Sequence, residues 1–479
     1  MKRRKFIENI GIIGGIGPLL PGWAKSILAQ DEKVKVYKVV NGDCFQNTAK
    51  ICDMLDLSHY IDPSDVVVIK GNAQWPYQGY THTGVIKGVV DRLLELPGFS
   101  GEIILCDNVQ VYGSAGNTAF DVPAAKRGHN WPDHNWSTLA AEYQSDGKPV
   151  AVKNWLNSEL DITSPSDGEG WIRDFFTFHD LNTYLSYPIF ESPLTAGRMI
   201  DMQNGVWENG GYTGRNVKAI FIPTLNNHGR GTEDYAGITS AIKSFFGATE
   251  IHYGVAGTFR GYANIHSASF NRQRADYAGE LVARYIQTMY KPVIYITAAI
   301  WSGYHSRTGD AVETKAVLAC ENPVTLDYIA TRDIISPYAE FLNPDQDNNT
   351  RKQILGCIDG GIGTIDPNEF EVISYDFNNP AGLYSHSDGN IPARHILHQN
   401  YPNPFNEFTI IKFTLHKPEY VEIRIYNLLG KEVADVVNGN FPAGVHQYQF
   451  NAHSLAGGTY YYQICAGRFR QVKKLMLVK

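Results

Sequence analysis

The chain has 479 residues, 43% of them hydrophobic and 19% charged. That apolar share supports packed cores and excludes wholesale disorder, and six cysteines over this length exclude a small disulfide-stapled scaffold. Lysine and arginine number 42 against 49 acidic residues, a net charge of −7, which lacks the basic field of a general nucleic-acid binder.

Residues 1–29 read as an export signal. The basic cluster Lys2-Arg3-Arg4-Lys5 precedes an apolar run from Ile10 to Leu20 that four glycines and Pro18 interrupt, and the small residue Ala29 offers a cleavage point. The run is too short and broken to span a bilayer, and no later stretch approaches 18 apolar residues, so no transmembrane segment is expected. Arg3-Arg4-Lys5-Phe6 resembles the twin-arginine class of signals, which implies handover of a folded chain to inner-membrane export machinery. An ordinary secretory peptide is the competing reading, and both routes lead to the periplasm.

Residues 31–342 read as an α/β domain. Lys33 to Val40 has strand character. Asp65 to Lys70 is a continuous β-branched run, as in a strand buried on both faces. Val85, Ile86, Val89, Val90, Leu93 and Leu94 recur at helical spacing, and Glu102 to Asp107 is a second buried strand, so a strand–helix–strand crossover with parallel strands is expected. The stretch from Gln110 to Leu139, rich in Gly, Asn, Asp and Trp, is expected as a surface loop near the strand ends. Lys218 to Pro223 repeats the strand pattern, Glu233 to Phe246 reads as a helix stopped by Gly247, Ala278 to Met289 shows a helical face, and Pro292 to Thr297 is a further strand. Residues 343–394 are polar and turn-rich, and read as an excursion and linker. The fold class is a mostly parallel sheet flanked by helices.

Ligands of open parallel sheets sit beyond the carboxyl ends of the strands. Lys70 and Asn72 follow one buried strand, Thr81 and His82 precede the next helix, Asp107 ends the next strand, Asn226 and His228 follow another, and Lys243 and Asp327 come later. Lys70 and Lys243 are suited to hold negative charge, His82 or His228 to act as acid or base, and Asp107 to orient a histidine or bind a cation. Bland roles compete: Thr81 as a helix cap, Lys243 as a surface lysine, Asp107 as a turn acceptor, His228 as a loop residue.

These same segments resemble the family called domain of unknown function 362 (DUF362). That resemblance rests on Ile69-Lys70-Gly71-Asn72, Thr81, Asp107, Leu225-Asn226-Asn227-His228, Ile242-Lys243-Ser244-Phe245-Phe246-Gly247 and Asn322-Pro323-Val324-Thr325-Leu326-Asp327. Gly71, Asn226 and Ser244 depart from the family's usual Pro, Lys and Asn. The family's activity is not established. Some members carry iron–sulfur modules, but this chain has no clustered Cys-x-x-Cys for one.

The six cysteines lack zinc-ligand spacing; Cys44 and Cys52 are close enough in sequence for a local disulfide, with free thiols the equal alternative. His129, Asp133 and His134, between Trp131 and Trp136, are candidate metal ligands, although an aromatic-anchored loop explains them as well. The cofactor is therefore open, a metal ion being one candidate. Besides an enzyme acting on a small anionic ligand, two readings stay open: a non-catalytic surface protein that binds glycans or peptides through Trp75, Trp131, Trp136 and Trp301, and a family member that kept the fold and lost its site.

From about His395 the character changes. Val421, Ile423 and Ile425 alternate with Glu422, Arg424 and Tyr426, and further short strands punctuated by glycine follow, predicting a small antiparallel, Ig-like β-sandwich over 395–479. Asn400-Tyr401-Pro402-Asn403-Pro404-Phe405-Asn406, Tyr426 to Val433, Gly458-Thr459-Tyr460-Tyr461-Tyr462 and the closing Lys473 to Lys479 resemble the type A sorting domain of the type IX secretion system. The resemblance implies that this segment engages the type IX machinery and brings the chain to the outer surface or the medium.

Overall fold

The computed structural model describes residues 33–478, apart from residues 76, 110–115, 130–132, 156–159, 230–232, 252–257, 307–308, 310, 379–383, 387–394, 401, 416 and 442–443. The export-signal reading of residues 1–29 lies outside the described residues.

In chain order the body begins with β1 (Val34–Val40), α1 (Cys44–Leu55), β2 (Val66–Lys70), α2 (Thr83–Leu94), β3 (Glu102–Asp107), α3 (Trp136–Ser145) and β4 (Val150–Asn154). An antiparallel excursion follows: β5 (Gly170–Phe178), β6 (Leu181–Glu191), β7 (Met199–Asp201), β8 (Gly205–Glu208) and β9 (Gly211–Tyr212). The chain returns through β10 (Val217–Phe221), β11 (Thr224–Asn227), β12 (Ile238–Thr239) and α4 (Ala241–Ser244). The short pair β13 (Thr258–Phe259) and β14 (Tyr262–Ala263) precedes α5 (Ile265–Ala268) and α6 (Ala275–Thr288). Next come β15 (Ile294–Gly303), β16 (Val312–Cys320), α7 (Pro323–Ala330), α8 (Asn349–Asp359), β17 (Phe370–Asp376) and β18 (Tyr384–His386).

The main sheet runs β18-β17-β1-β16-β15-β10-β2-β3-β4. Its pairs from β15 through β10, β2 and β3 to β4 are parallel, as is β1 with β17, whereas β16 is antiparallel to both neighbours. The fold is thus α/β with a mostly parallel sheet. Every residue of β2 and β3 is buried, the pattern of strands covered on both faces. One face packs on α1, α2 and α3 through Ile51, Leu55, Val85, Val89 and Leu139. The other packs on the later helices and the antiparallel excursion through Ala278, Leu281, Val324, Ile354, Leu185 and Ile189.

Three expectations need correction. Most of Glu233–Phe246 is not helical: Gly237 takes a positive φ of 76°, β12 pairs with β11, and the helix starts only at Ala241, where Asp327 accepts the Ala241 and Ile242 N–H groups. The described parts of the 110–139 stretch are not merely surface, since Ala119, Phe120, Val122 and Trp136 are buried in the core. Residues 343–394 are more than a linker, because α8 packs on α6 and β17 joins β1 in parallel. Of the two alternatives left open for Cys44 and Cys52, the structure shows free thiols, as for the other four cysteines. The antiparallel excursion β5–β9 carries no counterpart among the expectations.

The α6–α8 crossing explains how a polar helix docks. A Cβ at Gly279 would lie 2.1 Å from the Gln353 carbonyl oxygen, and one at Gly356 would lie 2.0 Å from that of Asp276. Two glycines let the backbones touch where larger side chains would hold them apart.

The C-terminal strands are β19 (Ile396–Leu397), β20 (Phe408–Leu415), β21 (Glu419–Tyr426), β22 (Glu432–Phe441), β23 (Gly444–Asn451), β24 (Gly458–Ala466) and β25 (Phe469–Leu477). They form two antiparallel sheets, β19-β20-β23 and β22-β21-β24-β25. Val421, Ile423 and Ile425 are fully buried between them with Ile411, Phe413 and Tyr462.

Substituting Gly279→Val is expected to cost about 1–3 kcal/mol, seen as a lowered unfolding midpoint in urea. An unchanged midpoint would show that α8 does not need this close approach.

Candidate functional site

The parallel strands β2 and β3 lie in register and end in opposite charges. Lys70 closes β2 and Asp107 closes β3, and Lys70 Nζ lies 3.0 Å from Asp107 Oδ1 with both side chains out of solvent. Asp107 Oδ2 also accepts the Ala73 N–H at 2.6 Å, and Lys70 donates to Ser244 Oγ at 3.2 Å. Burial pushes Lys70 below and Asp107 above its ordinary pKa, each opposed by the other's charge. Gly247 closes over the pair, and a Cβ there would lie 2.6 Å from Asp107 Oδ1 and 2.9 Å from Lys70 Nζ.

Above the pair lies a cleft of about 220 Å³. Of the residues singled out from the sequence, Lys70, Asn72, Asp107, His228 and Lys243 line it, together with Trp75, Tyr235, Thr239, Phe246, His266 and Phe270. Lys243 donates to the Ala236 and Gly237 carbonyl oxygens and sits 4.2 Å over the Phe270 ring. His228 Nδ1 is 2.9 Å from Thr239 Oγ1.

Four sequence candidates are not among the residues lining this cleft, and three of them have structural tasks. Thr81 Oγ1 accepts the Asn72 N–H at 2.8 Å and donates to the Ile222 carbonyl at 2.6 Å, tying the β2 exit to β10. Asn226 reaches the Gln78 carbonyl and Thr224 Oγ1 and accepts the Gly303 N–H at 2.7 Å. Asp327 seats the first turn of α4, and burial raises its carboxyl to about 7. His82 lies at the start of α2 with no side-chain cap bond, and burial lowers it to about 4. Of the two histidines singled out from the sequence, His228 lines the cleft and His82 does not.

The metal candidates part company. His129 stacks on Trp301 at 3.7 Å, and His134 pairs with Glu142 at 3.0 Å. Among the described residues no group of three or more His, Cys, Asp or Glu is placed to hold a metal ion. The aromatic platform is also dispersed, since Trp136 is wholly buried and Trp301 is covered by His129, while Trp131 lies outside the described residues.

Sequence reasoning missed His266 and Phe270, which sit in short helical turns after Asn264 with no periodicity to mark them. His266 Nδ1 is sealed from solvent without a hydrogen-bond partner among the described residues. Burial, reinforced by nearby Lys243, pushes the ring down to about 3. Ser244 stood out only as a departure from a family pattern, yet it accepts from Lys70.

The comparison with known families decides one part of the chain. Residues 399–479 match the secretion system C-terminal sorting domain. The sorting domain marks the chain for type IX secretion to the cell surface or the medium. No helix among the described residues is long and apolar enough to cross a membrane. No curated protein matches the chain.

Asp107→Asn leaves a buried ammonium unpaired and is expected to cost about 3–5 kcal/mol of stability, with much of the loss recovered by adding Lys70→Met; chemical denaturation of both variants checks this. His82 sets a pH dependence. Its folded pKa lies below the ordinary value of 6.5, so between that value and about 4 the unfolded chain binds a proton that the folded chain does not. Stability should therefore fall with pH across this window by up to about 1.4 kcal/mol per unit from this residue. Denaturation curves at pH 7, 6, 5 and 4 should show a shallower fall for His82→Gln; an identical slope would assign the dependence elsewhere.

Proposed function

We propose that the body is a DUF362-like domain that binds a small anionic ligand in the cleft above Lys70 and Asp107, and that it acts there as an enzyme with His228 as acid or base. The observation that carries this reading is the convergence of Lys70, Asn72, Asp107, His228 and Lys243 on one cleft at the carboxyl ends of parallel strands. Two ammonium groups line it, suited to a carboxylate or phosphate. The pairing of Lys70 with Asp107 and Ser244 holds one of them in place before any ligand arrives. The departures from the family pattern bear on this: Ser244 still meets Lys70, and Asn226 has a buried bridging task, so neither change empties the cleft.

Within the same proposal, residues 1–29 act as a twin-arginine-like signal that passes the folded chain to the periplasm, supported by Arg3-Arg4-Lys5-Phe6 ahead of a weakly apolar run. The sorting domain then acts on a body that is already folded.

The test is calorimetric titration of the full chain with methyl phosphate and with acetate. Lys243→Met is expected to weaken binding of whichever anion the protein takes by about tenfold or more. Equal affinity in the variant overturns the reading, as does the absence of binding by these anions and by their aromatic counterparts phenyl phosphate and benzoate.

A further inference from the structure

The walls of the cleft narrow the class of ligand beyond its charge. Phe246 and Phe270 stack with ring centres 4.8 Å apart and 29° between planes, and His266 stands edge-on to Phe246 at 4.7 Å. Trp75 and Tyr235 complete the aromatic lining. Tyr235 is 68% exposed, a large ring left in solvent beside a cleft, which a ligand ring would cover.

Three polar side chains of the cleft are, by contrast, engaged within the protein, and His266 Nδ1, which has no partner among the described residues, is sealed from solvent. Asn72 Oδ1 accepts the Thr224 N–H at 3.1 Å, Asp107 Oδ2 accepts from Ala73, and His228 meets Thr239. A polyhydroxylated ligand such as a sugar needs a partner for each buried hydroxyl, and unmet groups are costly. Ring faces and lysine ammonium groups, which donate and do not accept, suit a different molecule.

We infer that the ligand is a flat aromatic ring bearing one acidic group, its ring among Trp75, Tyr235 and the Phe246–Phe270 pair and its acid towards Lys243. The inference rests on the cleft being the anion site proposed above. A cleft of about 220 Å³ suits one ring and its acid, being smaller than the roughly 300–1,000 Å³ of pockets for drug-sized molecules.

The test uses the full chain and matched probes: phenyl phosphate against methyl phosphate, benzoate against acetate, and glucose 6-phosphate as the polyhydroxylated anion. By calorimetry, the aromatic member of the favoured pair should bind about tenfold or more tighter than its methyl counterpart, and glucose 6-phosphate no tighter than methyl phosphate. Tyr235→Ala, at an exposed position that should not disturb folding, should reduce the aromatic advantage, the ratio of the two affinities within a pair, by about 2- to 10-fold. Phe270→Leu should reduce it further. Equal binding within the pairs, tighter binding of glucose 6-phosphate, or an aromatic advantage that survives both substitutions overturns the ring inference and leaves the anion reading standing. Failure of all five probes overturns both.

Discussion

The buried ion pair between Lys70 and Asp107 is the interaction around which this body is organised. Two adjacent parallel strands end in opposite charges, and both side chains are almost wholly buried, 1% and 4% exposed, beneath the cleft. Removing ions from water is expensive, and their mutual attraction offsets the cost only when their remaining hydrogen-bonding capacity is met and their geometry is held. The surrounding chain does both. Ala73 gives its N–H to Asp107, Ser244 accepts from Lys70, and Gly247 brings bare backbone over the pair where any side chain would collide. The position of α4 follows from this, because Ser244 and Gly247 flank its end.

A ring of buried polar residues braces that arrangement. Asp327 seats the first turn of α4, Thr81 ties the β2 exit to β10, and Asn226 bridges β11 to Gly303. They occupy the same strand-exit neighbourhood as the residues facing the cleft and have the same polar chemistry, but their atoms are satisfied by backbone groups. The floor of the cleft is thus charged and braced while its wall is aromatic, so recognition of charge and recognition of shape fall to different residues. The C-terminal sandwich has its own core of Ile411, Phe413, Val421, Ile423 and Tyr462, in keeping with a segment whose task is delivery.

Much of the frame was legible in the residue pattern. The runs Val66–Lys70 and Glu102–Asp107 with the helical spacing between them specified a parallel crossover, and the alternation through Val421, Ile423 and Ile425 specified a sandwich strand. Where the reading failed, distant contacts had overridden local pattern. Glu233–Phe246 has helical composition, but Gly237 turns the chain and Asp327 sets the helix start from 86 residues away. The segment after residue 343 looked polar because α8 docks through backbone contact at Gly279 and Gly356 instead of through a broad apolar stripe. His266 and Phe270 lie in turns too short to show a period.

The sequence by itself determined the strand–helix–strand core, the C-terminal sandwich and its secretory role, because each is written in short-range periodicity or in contiguous motifs. It also placed Lys70, Asn72, Asp107, His228 and Lys243 near strand exits. Only the tertiary structure decided which polar residues face the cleft and which brace it, and that the cleft has an aromatic wall. Residue type and position along a strand do not encode which partner a side chain meets when that partner, as with Lys70 and Ser244, lies 174 residues away.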